Sequence, residues 1–422
     1  MLLTTRLLVL PLVIAFPEHA ILDTQPSVAS PPAQAAADTI PTSVRWNRLV
    51  PNLLDEAAAR RRAARTAAAG DSAALRRIAQ TSPPPMLFRI HTVLSVAQYA
   101  AASTAGDSRS VSVEAAVASA SAAVLTAMFT DSSVRASIAR ELDRDLKARA
   151  ASHSAEQTTA AKRLGDDIAH RLMTSAPTIN LVAPWNGTIP KGPGMWYSAP
   201  GIPPIGVTIS QSRGWLLDSV AQFRPAPPPV YGSPEFQAAL EEVRRVTRER
   251  TRQQTEIAQQ WNDSDPWARW NETASSAIRS HRMSELDAAR VLAVLNVAAS
   301  DAIIACFEAK YHYWTIRPSQ VDSTLALADS VSLPNFPSYP SGHACSAGAF
   351  EAVLGHFFPQ DRAQFTSIAA EQAMSRLYGG VHYRFDNDIG LDLGRVVARY
   401  AIARETRGGL KTWVDAVVSR KP

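Results

Sequence analysis

The chain has 422 residues, 46% of them hydrophobic and 19% charged, with a formal net charge of +5. That length holds a full core in one large domain or two smaller ones. Alanine-rich stretches, short β-branched runs and no lasting alternation exclude a β-rich fold and predict an all-α protein. The basic residues are scattered among acids, which argues against a nucleic-acid partner.

In chain order, the first segment has the pattern of an export signal. Arg6 precedes the apolar run Leu7–Phe16, and small residues follow to Ala33-Gln34-Ala35. Cleavage falls at that triplet or earlier, near Ser30, so residues 1–35 are read as signal and leader. The run is too short to span a bilayer. The mature protein is therefore expected to be periplasmic or extracellular, without an integral membrane span.

Residues 43–175 read as an N-terminal helical half. It contains "VRWNRLVPNLLDEAAARRRAA", "PPPMLFRIHTVLSVAQYAAAS", "SVEAAVASASAAVLTAMF" and the amphipathic "SAEQTTAAKRLGDDIAHRLM", with Pro83-Pro84-Pro85 punctuating the start of the second. The basic cluster from Arg60 to Arg77 reads as a solvated helix face.

Residues 176–234 change character, being rich in Pro, Gly and Trp. The segment is too long for a plain connector. Its Trp185, Trp196, Tyr197 and Trp215 are unlike the aromatic-poor composition of disorder. It is predicted to be an ordered loop that wraps the helices or shapes a pocket mouth.

Residues 235–422 read as a C-terminal helical half that carries catalysis. One helix is predicted from Ser233 to Trp261, and a long one from Ser284, with Ser284 and Asp287 as a capping-box-like start. The apolar stretch Ala289–Lys310 carries Arg290, Asp301 and Glu308, so it reads as a buried core helix. Cys306 and Cys345 are read as packed free thiols, although an exported chain permits a bridge. No internal repeat is found.

Three segments of this half carry chemistry. In "KYHYWTIRP", Lys310 and Arg317 are seven apart, which places them on one helix face, with Pro318 ending the helix. In "PSGH", Ser341 stands where a helix cap would stand and Gly342 opens the first turn. The free N–H groups there suit an oxyanion. In "SRLYGGVHYRFD", Gly379-Gly380 separates Arg376 from His382 and allows a turn, and Asp386 follows His382 by four.

Together these residues suit a tetrahedral, multiply charged oxyanion. Lys310, Arg317 and Arg376 supply charge and forked donors, and Ser341 and the Gly342 N–H supply neutral ones. Of the two histidines, one can bond to the central atom and the other can move a proton at the opposite apex. A nearby carboxylate can hold the tautomer of the first. His312 and His356 match no position of this pattern and are read as structural or surface residues.

The pattern K-x6-RP, PSGH, SR-x5-H resembles that of the type 2 phosphatidic acid phosphatases and vanadium-dependent haloperoxidases, over roughly residues 284–404. The wider layout, from "VRWN" through "QFRPAPPP" and "AKYHYW" to "GGVHYRFDND", is similar to the exported bacterial haloperoxidase-like proteins. The resemblance implies two helical bundles with the anion site in the C-terminal one. It implies that Lys310, Arg317, Ser341, Gly342 and Arg376 bind the oxygens of vanadate, with phosphate able to occupy the same site. It makes His382 the axial ligand or the phosphate-accepting nucleophile, His343 the acid–base histidine, and Asp386 the acid that follows the second histidine.

Phe336 falls where chloroperoxidase-type members carry Phe and bromoperoxidases tend to carry His, a position in the halide pocket. The stretch between Pro318 and Pro340 is short, which implies a pocket wall unlike that of larger members. Two activities follow. In the first, a haloperoxidase acts on hydrogen peroxide and halide, with Lys310 polarising the peroxide. In the second, an acid phosphatase acts on phosphate esters through a phosphohistidine. A non-catalytic binder would not need both histidines. A homo-oligomer is compatible with the sequence.

Overall fold

The computed structural model describes residues 40–69, 71, 87–108, 110–149, 154–177, 184–199 and 201–418. The predicted export signal and the triple proline lie outside these residues. Among the described residues there are helices and no strands.

The N-terminal half supplies α1 (Thr42–Ala67), α2 (Leu87–Gly106), α3 (Val113–Met128), α4 (Ser132–Arg149) and α5 (Ala155–Ser175). Caps mark their starts. The Ser112 hydroxyl accepts from the Ala115 N–H, and Ser154 and Gln157 form a reciprocal capping box. Small residues then let the helices close up. A Cβ at Gly165 would stand 2.5 Å from the Ala120 nitrogen, so α5 rests almost directly on the α3 backbone.

The C-terminal half supplies α6 (Pro234–Glu249), α7 (Arg252–Asp263), α8 (Pro266–Ser280), α9 (Glu285–Tyr313), α10 (Pro318–Val321), α11 (Gly342–Phe357), α12 (Arg362–Tyr378), α13 (Arg384–Thr406) and α14 (Gly409–Val418). The single helix expected from Ser233 to Trp261 is two. Thr251 and Gln254 form a capping box that restarts the chain at α7, a break that helical periodicity alone reads through. The shared helix face for Lys310 and Arg317 is also corrected. Helix α9 stops at Tyr313, and Trp314 takes a left-handed φ of 50° while packing on Trp185, Trp196 and Tyr311. Pro318 opens the short α10 and does not end the long helix.

Helix α9 packs against α2 on one side and against α11 and α13 on the other. Its start is the expected one, with the Ser284 hydroxyl accepting from the Asp287 N–H. It is long and apolar enough to cross a membrane by length and composition, yet its apolar window lies wholly inside the protein. The polar residues that marked it as a core helix find partners there. Arg290 pairs with Glu405 at 2.6 Å and Glu308 with Arg224, while Asp301 accepts main-chain N–H groups from Trp215 and Leu216 at 2.7 and 2.8 Å.

Those last bonds tie down the Pro-rich segment, which contains no α-helix among its described residues. Trp196 and Trp215 are core residues. Carbonyls that proline-rich backbone cannot pair in a ladder are met by side chains: Tyr313 donates to Pro225, Tyr339 to Ala226 and Asn335 to Pro203, at 2.6–2.7 Å. The described residues of the segment wrap onto the helices. Cys306 and Cys345 are free and buried.

The closest helix contact is between α11 and α13. Cβ atoms at Gly348, Gly390 or Gly394 would run into the opposite main chain, at Leu391, Ser341 and Cys345 respectively. Only hydrogen at these three positions lets the start of α11 touch the first turns of α13. Replacing Gly394 with Ala is expected to cost about 3 kcal/mol, the upper range for overpacking a rigid contact. Urea unfolding at unchanged slope is the measurement.

Candidate active site

The site is built where three non-helical joints meet the ends of α9, α11, α12 and α13. Ser341 is the residue before α11, and its main-chain N–H donates to the Asp386 carbonyl at 2.8 Å. It holds the cap position, but its hydroxyl makes no cap bond and is buried without a partner. The first N–H groups of α11, beginning at Gly342, lie beside it at the positive end of the helix.

Three cations surround this point, all buried. Lys310, in the last turn of α9, donates to the Pro337 and Ser338 carbonyls at 2.9 and 2.7 Å and keeps one N–H in reserve. Arg317 donates through Nε to the Phe336 carbonyl at 2.9 Å and through Nη1 to Val381 at 2.7 Å, leaving Nη2 unpartnered. Arg376, at the end of α12, has both Nε and Nη1 unpartnered. Burial lowers all three, Lys310 to about 8, Arg317 to about 9 and Arg376 to about 10. Unpaired buried charge costs several kcal/mol, so an anion that fills these donors is strongly favoured.

The one acid among them is committed elsewhere. Asp386 Oδ2 lies 2.8 Å from His382 Nδ1, and it also accepts from the Ser338 hydroxyl at 2.5 Å and the Tyr383 N–H at 3.1 Å. A carboxylate only accepts, so Nδ1 carries the proton and Nε2 keeps its lone pair. Burial pushes Asp386 up to about 6, against the pull of Ser338 and Lys310. Burial, then Arg317 and Lys310, hold His382 well below the usual histidine range. Above about pH 6 the pair is therefore carboxylate and neutral imidazole, which leaves a nucleophilic or ligating Nε2.

His343 follows Gly342 in the first turn of α11. Burial and the Arg376 charge hold it below the usual range, and a main-chain hydrogen bond with Trp261 opposes them. Gln372 and Ser346 both donate to its carbonyl at 3.0 Å. The Phe336 ring stands 5.1 Å from both Lys310 Nζ and the Arg317 guanidinium carbon and 5.3 Å from the Phe307 ring, so it roofs the two cations with apolar surface.

The structure thus brings all nine predicted residues into one neighbourhood: Lys310, Arg317, Phe336, Ser341, Gly342, His343, Arg376, His382 and Asp386. His312 and His356 are exposed and take no part. Sequence reasoning missed Ser338, Trp261 and Gln372. Gln372 had a signal, one turn before Arg376 on the same helix, and Ser338 lies two residues before Pro340 in the same loop. Trp261 acts through its backbone, which sequence does not advertise. Unpartnered Ser341 Oγ, Arg317 Nη2, Arg376 Nε and Nη1, with the spare Lys310 N–H, fit a tetrahedral oxyanion set against His382 Nε2.

An oxyanion favours the charged form of Lys310, so its contribution to binding is present below pH 8 and is lost as pH rises through about 8. Tungstate keeps its charge across that range. Its affinity for the anion-free protein is expected to fall about tenfold between pH 7 and 9, the worth of one charge-assisted hydrogen bond. Calorimetric titration is the check, and most of the fall should vanish in Lys310→Met.

Residues 290–407 match the PAP2 superfamily. Over 59 residues the chain is 41% identical to lipid A 1-phosphatases of Rhizobium etli and Rhizobium johnstonii. That is 14% of this chain and 25% and 24% of theirs, so the chain spans about a quarter of the length of the curated relatives it matches. Among solved structures, a bacterial vanadium-dependent iodoperoxidase is similar with a TM-score of 0.63 and 25% identity, covering 76% of this chain and 91% of that one. An apo-type bacterial vanadium-dependent chloroperoxidase is similar with a TM-score of 0.60 over 81% of this chain and 96% of that one. Its 12% identity shows the fold alone. The C-terminal half thus carries a PAP2 superfamily segment set within a vanadium-haloperoxidase fold.

Proposed function

We propose that this enzyme of the PAP2 and vanadium-haloperoxidase superfamily oxidises halide with hydrogen peroxide at a histidine-bound vanadate. The observation that carries the proposal is the extent of likeness to the iodoperoxidase, 25% identity over 91% of that chain, against 59 residues matched in the phosphatases. The unpartnered donors support vanadate as the group held. Lys310, Arg317, Ser341, Gly342 and Arg376 would hold its oxygens, and His382 Nε2 would bond to its central atom. When bound, vanadate supplies a Lewis acid that activates peroxide without changing its own oxidation state.

The protein's own residues do the rest. Asp386 keeps the Nδ1 proton on His382 and so keeps Nε2 free to bond. His343, neutral at rest and partly exposed, would accept and return a proton beside the bound oxyanion. Phe336 and Phe307 shed water beside Lys310 and give a polarisable halide an apolar wall. The N-terminal apolar segment supports export to the periplasm or beyond.

A second reading, an acid phosphatase on phosphate monoesters, is favoured by the identity to lipid A phosphatases and by the His382–Asp386 pair. His343 would first take up a proton, favoured by the charge of the bound phosphate. His382 Nε2 would then attack phosphorus as the ester oxygen leaves with that proton, and water would cleave the phosphohistidine and return a proton to His343.

The deciding experiment strips the purified protein of anion and adds orthovanadate. Iodide and bromide oxidation by peroxide is then followed beside phosphate-ester hydrolysis without vanadate. Vanadate-dependent oxidation is expected, falling on the order of a thousandfold in His382→Ala. Hydrolysis alone, inhibited by vanadate, would make the protein a phosphatase.

A further inference from the structure

We infer that Ser338 is a positioning residue that sets the angle of the His382 ring toward the oxyanion and ties that ring to Lys310. The inference rests on the reading of His382 as the residue that meets the oxyanion, and it holds for vanadate and phosphate alike.

The geometry is local and complete. The Ser338 hydroxyl donates to Asp386 Oδ2 at 2.5 Å and stands 3.4 Å from His382 Nδ1. The same oxygen of Asp386 takes the His382 proton at 2.8 Å and the Tyr383 N–H at 3.1 Å, while Oδ1 has no partner. Without the Ser338 hydroxyl, Oδ2 is held only by the ring and by the Tyr383 N–H of its own helix turn, so it could shift by rotation about Cα–Cβ and Cβ–Cγ. The His382 ring would swing with it, because both are buried and the ring has no other strong partner: its contact with Arg317 Nη1 is 3.4 Å. The Ser338 hydroxyl reaches that oxygen from another segment, 48 residues earlier in the chain, and removes the freedom. Its own carbonyl accepts from Lys310 at 2.7 Å. One residue therefore locates both the Lys310 ammonium and, through Asp386, the His382 imidazole.

Outer partners of this type are worth about 10–100-fold in affinity when removed. Ser338→Ala leaves the main-chain bond to Lys310 and deletes only the hydroxyl. Ser338→Thr keeps the hydroxyl.

The test is calorimetric titration of the anion-free, full-length wild type, Ser338→Ala and Ser338→Thr with tungstate and with orthovanadate, beside their unfolding midpoints without anion. The expected result is a loss of at least about tenfold for both anions in Ser338→Ala, with most of it recovered in Ser338→Thr. Equal affinity in Ser338→Ala and wild type would overturn the inference, as would an equal loss in Thr and Ala. If Ser338→Ala does not fold, two results remain decisive. Ser338→Thr must bind as wild type does, and the wild type must show a slowly exchanging imidazole proton in its NMR spectrum that disappears in His382→Ala. Failure of either refutes the role. A wild type that binds tungstate yet oxidises no halide would sink the haloperoxidase reading and leave the Ser338 comparison standing.

Discussion

Everything around the site follows from keeping three cations charged and available inside protein without neutralising them. Lys310, Arg317 and Arg376 are fully or almost fully buried, and the one carboxylate within reach is bound to His382. A salt bridge would neutralise each cation and leave no free positive charge in the pocket. The solution is main-chain carbonyls. Phe336, Pro337, Ser338 and Val381 hold Lys310 and Arg317 by dipoles and leave their net charge intact.

That solution dictates the architecture. Carbonyls inside a helix are already used by the helix, so the acceptors must come from irregular backbone. Buried irregular backbone is expensive unless its own groups are satisfied. The 314–341 segment is therefore flanked by the Pro-rich wrap. Trp196 donates its N–H to the Trp314 carbonyl, Ile316 to Gly194, and Ile205 to Asn335. The wrap is in turn held to α9 by Asp301, whose burial raises it to about 6 even as the N–H groups of Trp215 and Leu216 oppose that rise. The glycine contact between α11 and α13 completes the enclosure by bringing the Ser341 N–H to the Asp386 carbonyl.

Much of this was readable in the chain. The helices with strong serine caps, such as the one opened by Ser284, announced themselves. So did the converging set around PSGH, because charged side chains, a glycine at a helix start and paired histidines are rare together. The errors lie where local signals compete. Thr251 and Gln254 restart a helix within a run whose periodicity looks continuous. Trp314 ends α9 three residues before Arg317, because burying its indole among other tryptophans outweighs the cost of a left-handed backbone. Lys310 and Arg317 meet in space as predicted, but by a turn of the chain and not by a common helix face.

The sequence by itself determined the all-α class, the buried nature of α9 and the identity of the cations and histidines that converge on one site. These depend on residue type and short spacing, which physical chemistry constrains within a turn or two of helix. Only the tertiary structure decided how those groups are poised. That Ser338 steadies the His382–Asp386 pair, that Trp261 meets His343, and that carbonyls hold Lys310 and Arg317 all involve partners distant in the chain. Their choice depends on how whole helices and loops pack, and no local pattern of residues records it.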